Sequence, residues 1–177
     1  MPTYTVFVSS TFADFAAERP RLADLLSYAD VHVITAERAG DRGKSLRDTL
    51  KSLIDRSDIV VLLIGSRVGG TSVSGQTWTK EEVDHALARG KRMFAYKREL
   101  APELLSLTDP VPKSEPALSL LLRAVEEKIA IVPRYNHNEC CKLTAMVVRD
   151  VLRCVEEISP KRLSRPGSTG DLKANST

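Results

Sequence analysis

The chain has few aromatic residues: four Tyr, four Phe and one Trp, 5% of its 177 residues. That is too little for the stripe of interleaved aromatic and basic side chains that grips single-stranded nucleic acid. Charge of one sign is also lacking, since 26 Lys and Arg face 23 Asp and Glu and the net +3 is spread along the chain. No nucleic-acid partner is expected. The three cysteines, Cys140, Cys141 and Cys154, are too few and too odd in number for a disulfide framework, which fits a reducing compartment. No apolar run reaches the ~18–20 residues of a membrane span, and the N-terminus enters a strand directly, leaving no room for a signal peptide. The expectation is a cytoplasmic domain without a membrane partner.

Several catalytic and binding patterns are missing as well. His32, His85 and His137 have no second ligand at useful spacing, so no metal is expected. Gly65, Gly69 and Gly70 do not form G-x-G-x-x-G and do not follow the first strand, which excludes a Rossmann dinucleotide site. No G-x-S-x-G occurs, so there is no nucleophile elbow. The third strand ends in Gly65-Ser66, where a response regulator requires an aspartate. No resident cofactor is expected.

What is present is alternation. Ile59-Val60-Val61-Leu62-Leu63-Ile64, bounded by Asp58 and Gly65, is too short for an isolated helix and β-branched, so it reads as a strand buried on both faces. Strands are also expected at Thr3–Val8, Val31–Thr35, Arg92–Tyr96 and Ile129–Val132. Between them come helices: one with Leu22, Leu25, Leu26 and Ala29 at helical spacing and Pro20 in its first turn, and one capped at Ser45 with Leu46, Leu50, Leu53 and Ile54 buried. Further helices are expected at Thr79–Arg89, closed by Gly90, at Ala117–Glu127 after Pro116, and at Glu139–Ile158. The fold class is α/β, flavodoxin-like, with a parallel sheet of about five strands in the order 2-1-3-4-5 and helices on both faces. The domain covers residues 1–158. Residues 159–177 hold almost nothing apolar and are expected to be a disordered tail or linker.

In that order the switch point lies between the first and third strands, where ligands bind in open α/β sheets. Ser9 and Ser10 end the first strand, Gly65, Ser66 and Arg67 follow the third, and Glu82 enters the first turn of the next helix. Two readings of Glu82 stand side by side. It closes a capping box with Thr79, reaching back to the cap's N–H, or it is a carboxylate held ionised by the helix dipole at a ligand edge. An ionised carboxylate there suits N-glycosidic bond cleavage, whose transition state is oxocarbenium-like. Glu81 and His85 are expected on the outer surface. The hydroxyls of Ser9, Ser10 and Thr11 either cradle phosphate or ribose or cap the first helix. Trp78 either stacks on a base or packs as a staple beside the helix start. Arg67, and with less reason Arg42 and Lys44, are candidate phosphate ligands.

Val6-Phe7-Val8-Ser9-Ser10-Thr11-Phe12-Ala13-Asp14 with Glu18-Arg19 resembles the opening of a TIR-like domain family of unknown function, found N-terminal to NACHT- and repeat-containing signalling proteins. Glu37, the segment from Ser57-Asp58 through Gly65-Ser66-Arg67-Val68-Gly69, and Thr79-Lys80-Glu81-Glu82 with Ala86 match further blocks over roughly residues 4 to 98. The family's Arg-Tyr-Gly is Arg67-Val68-Gly69 here, so an aromatic partner is missing at that place. More distantly, Trp78-Thr79-Lys80-Glu81-Glu82 is similar to the W-C-x-x-E segment of TIR domains, whose glutamate acts in NAD cleavage in the enzymatic members. Nucleoside deoxyribosyltransferases resemble the arrangement too. The resemblance implies a signalling or defence domain (innate immunity, antiphage) that hydrolyses NAD or a related nucleotide. Glu82 would be the catalytic residue, and Ser9, Ser10, Phe12, Gly65, Arg67 and Trp78 would line the substrate site. It equally allows a non-catalytic module that self-associates or docks on a signalling partner, and, third, a 2-deoxyribosyltransferase.

Overall fold

In the computed structural model the described residues are 4–10, 14–36, 45–66, 70, 75–99, 115–129, 134–136 and 140–163. Strands and helices alternate along them: β1 (Tyr4–Ser10), α1 (Glu18–Ser27), β2 (Val31–Ile34), α2 (Leu46–Arg56), β3 (Ile59–Ile64) and α3 (Trp78–Ala88). β4 (Arg92–Glu99), α4 (Glu115–Lys128), β5 (Arg134–Asn136) and α5 (Cys140–Leu163) complete the chain. All pairings are parallel. The four longer strands run in the order β2-β1-β3-β4, and three-residue β5 pairs with the far end of β4.

Two helical layers cover the sheet, and the alternation of side chains along each strand decides which layer a residue meets. Val6, Val8, Ile59, Val61 and Leu63 pack with Leu22 and Leu26 of α1 and Leu143, Val147 and Val151 of α5. Phe7 and Val60 pack with Leu50, Leu53 and Ile54 of α2 and Ala86 of α3. Leu62 and Ile64 meet Val83 of α3 and Leu121 and Val125 of α4. Every side chain of β3 is buried, each worth roughly 1.5–3 kcal/mol of transfer free energy.

Several boundaries differ from the sequence expectations. Among the described residues the fifth strand lies at Arg134–Asn136; of the strand expected at Ile129–Val132, Ile129 donates its N–H to the Val125 carbonyl at 2.7 Å and finishes α4, while residues 130–132 lie outside the described residues. α5 continues past Ile158 to Leu163. Ser159 is part of the packing, bonded to the Tyr4 hydroxyl at 2.7 Å and donating to the Val155 carbonyl at 2.8 Å. Its hydroxyl thus joins the helix to the sheet where composition reads as a breaker. Leu46, expected in the buried stripe of α2, is the first helical residue and is half exposed. Gly90 does adopt φ +62 after α3 and donates to Leu87 O at 3.0 Å. Among the described residues no helix is long and apolar enough to cross a membrane.

A buried polar clamp ties the β1–α1 connection to β4. Arg98 pairs with Glu18, donates to the Asp14 carbonyl at 2.5 Å and lies 4.5 Å from the centroid of the Phe15 ring. Glu18 and Arg98 are each 8% exposed at the side chain, so removing one charge strands the other in low dielectric. Glu18→Gln is expected to cost about 3–5 kcal/mol. In urea titrations this should appear as a lower midpoint at unchanged slope.

Candidate active site

β1 ends in two adjacent serines that the pleat sends to opposite sides. Ser9 follows the parity of Phe7 and faces α2 and α3; Ser10 follows Val8 and faces α1. Ser9 is buried and its Oγ donates to Oε2 of Glu82 in a short hydrogen bond. Ser10 is half-buried and accepts from Nη1 of Arg19 at 3.3 Å. They do not form one hydroxyl cradle.

Glu82 reaches Ser9 from the second turn of α3. The helix begins one residue before Thr79, with Thr77 as its N-cap, whose Oγ1 accepts from the Lys80 N–H at 3.2 Å. The capping box expected between Thr79 and Glu82 is therefore not the one used. Glu82 lies four residues beyond Trp78, the first helical residue, and is 8% exposed. It is buried among Thr79, Val83 and Ala86 on the inward face of the helix. The dipole at this depth in the helix is weaker than at the first turn, and Ser9 receives the carboxylate at the sheet.

Glu81 does not point outward as expected. It turns into the cleft between α2 and α3, where the Arg47 guanidinium grips it in a two-pronged fork at 2.9 and 2.7 Å. Each prong is a charge-assisted hydrogen bond, and Glu81 holds the Arg47 guanidinium above its ordinary pKa. His85, one turn on, meets Asp55 of α2 at 2.9 Å. The cleft behind the fork is a cavity of about 10 Å³ bordered by Arg47, Lys51, Trp78, Glu81, Glu82 and His85, room for about one water. Trp78 is half-buried and leans on the apolar cluster of Phe7, Leu50 and Val60. The Trp78 backbone N–H donates to the Gly70 carbonyl at 3.1 Å.

The structure thus brings Ser9, Trp78 and Glu82 together. Ser10 belongs to the opposite layer. Gly65 is buried against Asp14, whose Cβ would come within 2.7 Å of a side-chain carbon added there, so glycine is required for that contact. Phe12 and Arg67, like Thr11, Arg42 and Lys44, lie outside the described residues. Sequence reasoning missed Arg47, Lys51 and Arg98. Arg47 and Glu81 are 34 positions apart, and only the packing of α2 on α3 joins them. Among the described residues there is no group of three or more His, Cys, Asp or Glu placed to hold a metal ion.

Residues 5–149 match the family described as "Domain of unknown function (DUF4062)", and the chain belongs to that family. No curated protein matches it by sequence. Among solved structures it is similar to the TIR domains of the activated Roq1 resistosome directly recognizing the pathogen effector XopQ, with a TM-score of 0.54 at 15% identity over 84% of this chain and 99% of that one. The fold is therefore TIR-like. Weaker similarities are to a 2-desoxiribosyltransferase from Leishmania mexicana (TM-score 0.44, 15% identity, 68% and 97% covered) and to oxidised flavodoxin 1 from Bacillus cereus (0.39, 15%, 82% and 95%).

The two serines allow an internal comparison. Ser9→Ala withdraws a donor from a buried carboxylate and is expected to cost about 1.5–3 kcal/mol. Ser10→Ala loses a longer, half-buried bond and should cost less than about 1 kcal/mol. Equal losses in parallel denaturant titrations would contradict the two-sided assignment.

Proposed function

We propose that this domain cleaves the N-glycosidic bond of NAD or a closely related nucleotide, with Glu82 as the key carboxylate. One observation carries the reading: a glutamate is buried at the carboxyl edge of a parallel sheet, beside the β1/β3 switch point, and is oriented by Ser9. Ligands bind at that place in open α/β sheets, and charged side chains are seldom buried without a task.

The chemistry asks for such a group. When the bond between the ribose C1′ and the pyridinium nitrogen breaks, its electron pair leaves with the nitrogen. Nicotinamide departs as a neutral base, so no general acid is needed. Positive charge develops at C1′ and the ring oxygen, where an ionised carboxylate stabilises it. Water then adds its oxygen to C1′ and releases a proton. Ser9, bonded to one carboxylate oxygen, fixes the orientation of the other.

A second reading, a self-associating adaptor for a signalling partner, draws on a different surface. An open groove of about 600 Å³ lies between the start of α3 and α4, and Leu120 beside it is 66% exposed. The TIR domains that share this fold belong to a resistosome. The two readings are compatible if assembly is needed for turnover.

Nicotinamide release from NAD should be detectable with the wild-type protein and fall at least about a hundredfold in Glu82→Ala. Equal release by both proteins rejects the residue assignment. No release at any protein concentration, including one at which the chain is assembled, rejects the activity.

A further inference from the structure

In the cleft that holds Glu82 two cations, Arg47 and Lys51, face two carboxylates, and cutting a glycosidic bond requires neither cation. Arg47 and Lys51 on α2 and His85 on α3 border it together with Trp78, Glu81 and Glu82. The Arg47 fork is closed on Glu81, and the cavity behind it has room for about one water. Resting on the hydrolase reading, we propose that this cleft takes a phosphorylated nucleotide, that Arg47 anchors its phosphate, and that Glu81 occupies the anchor as an internal stand-in.

The geometry supports an exchange. A carboxylate and a phosphate present the same pair of acceptor oxygens to a guanidinium fork, and arginine grips either in two-pronged fashion. The Arg47 side chain is 48% exposed and that of Glu81 14%, so an incoming anion can reach the guanidinium from solvent while the two-pronged grip keeps the pair closed without one. A phosphate, with more negative charge and the same pair of acceptors, competes with Glu81 for the fork, and Arg47 moving with it would open the cavity towards Glu82. Lys51 adds positive charge on the same helix, one turn beyond Arg47. His85 is held by Asp55 at 2.9 Å and serves as wall rather than ligand. Trp78, the only tryptophan of the chain, gives the cleft an apolar side against which a base or pyridine ring can lie. The preferred substrate is then a nucleotide carrying a pyrophosphate, as NAD does, and not the bare nucleoside.

Two substrates and two variants test this in the full chain. For NAD, Arg47→Ala should raise KM about ten- to a hundredfold with little change in kcat, the mark of lost ground-state binding. Glu81→Gln, which frees the anchor, should lower KM. For nicotinamide riboside, which has no phosphate, Arg47→Ala should leave KM unchanged. If both variants shift both substrates alike, the fork is only a latch and the anchor is rejected. An unchanged KM for NAD in Arg47→Ala rejects it too, while Glu82-dependent turnover would keep the hydrolase reading intact. Binding gives an arm that needs no turnover: Trp78 fluorescence titrated with ADP-ribose, with inorganic pyrophosphate as competitor, in Glu82→Gln. Arg47-dependent quenching without nicotinamide release by the wild type would uphold the anchor and reject the hydrolase. Quenching that Arg47→Ala does not weaken rejects the anchor. Competition by pyrophosphate as strong as ADP-ribose binding would make the site one for free phosphate and reject the nucleotide. Both substituted side chains lie in the accessible cleft, and an unchanged unfolding midpoint confirms that the variants fold.

Discussion

β3 lies between β1 and β4 with all six side chains buried, three against each helical layer, and this two-sided packing fixes the register of its neighbours. A slip of one residue would send each side chain to the wrong layer. The same parity runs to the end of β1, where Ser9 and Ser10 stand level with the buried Leu62 and Leu63 of β3. Ser9 is there because Phe7 is buried under α2 and α3; Ser10 is turned to α1 because Val8 is. A hydroxyl therefore appears at one defined point under α3, and Glu82 comes down onto it. The polar site borrows its precision from the apolar packing two residues upstream.

A buried carboxylate has to be compensated, since an unpaired charge in an apolar interior costs several kcal/mol. Glu82 receives a hydroxyl hydrogen bond from Ser9 and sits on a helix whose start is held by Thr77 and by the Trp78–Gly70 backbone bond. Val83 and Ala86, on the same face, pack into the two clusters beneath α3. An apolar residue in place of Glu82 would suit those neighbours better. Such local departures from the packing rule are where function is expected.

The architecture was legible because it depends on patterns within short segments. The apolar β-branched run at 59–64, the alternation of strands with helices and Gly90 after α3 each declare themselves locally. The errors fell where a second segment decides. Thr77 and Thr79 are both competent caps, and the bond from Trp78 to Gly70 goes with the earlier start, which moved Glu82 out of the first turn. The pattern of α3 alone gives Glu81 no partner and leaves it on the surface; α2 supplies Arg47. Asp14 and Glu18 of the opening motif belong to a clamp whose centre, Arg98, comes from a strand that runs three residues further than its apolar pattern. Of the candidate site, Ser9, Trp78 and Glu82 could be named in advance, but not that Ser9 binds Glu82 directly.

Two ion pairs of the same chemistry flank this edge of the sheet, and burial gives them opposite characters. Arg98 and Glu18 are enclosed at 8% exposure each, so either charge alone would be left without water, and neither can be released while the fold lasts. Arg47 is 48% exposed, and water or an incoming anion can take the place of Glu81 without leaving the guanidinium unsolvated. The buried pair sets where the β1–α1 connection lies; the accessible pair can change partners. In this fold the strand ends supply the first, and the seam between α2 and α3 supplies the second.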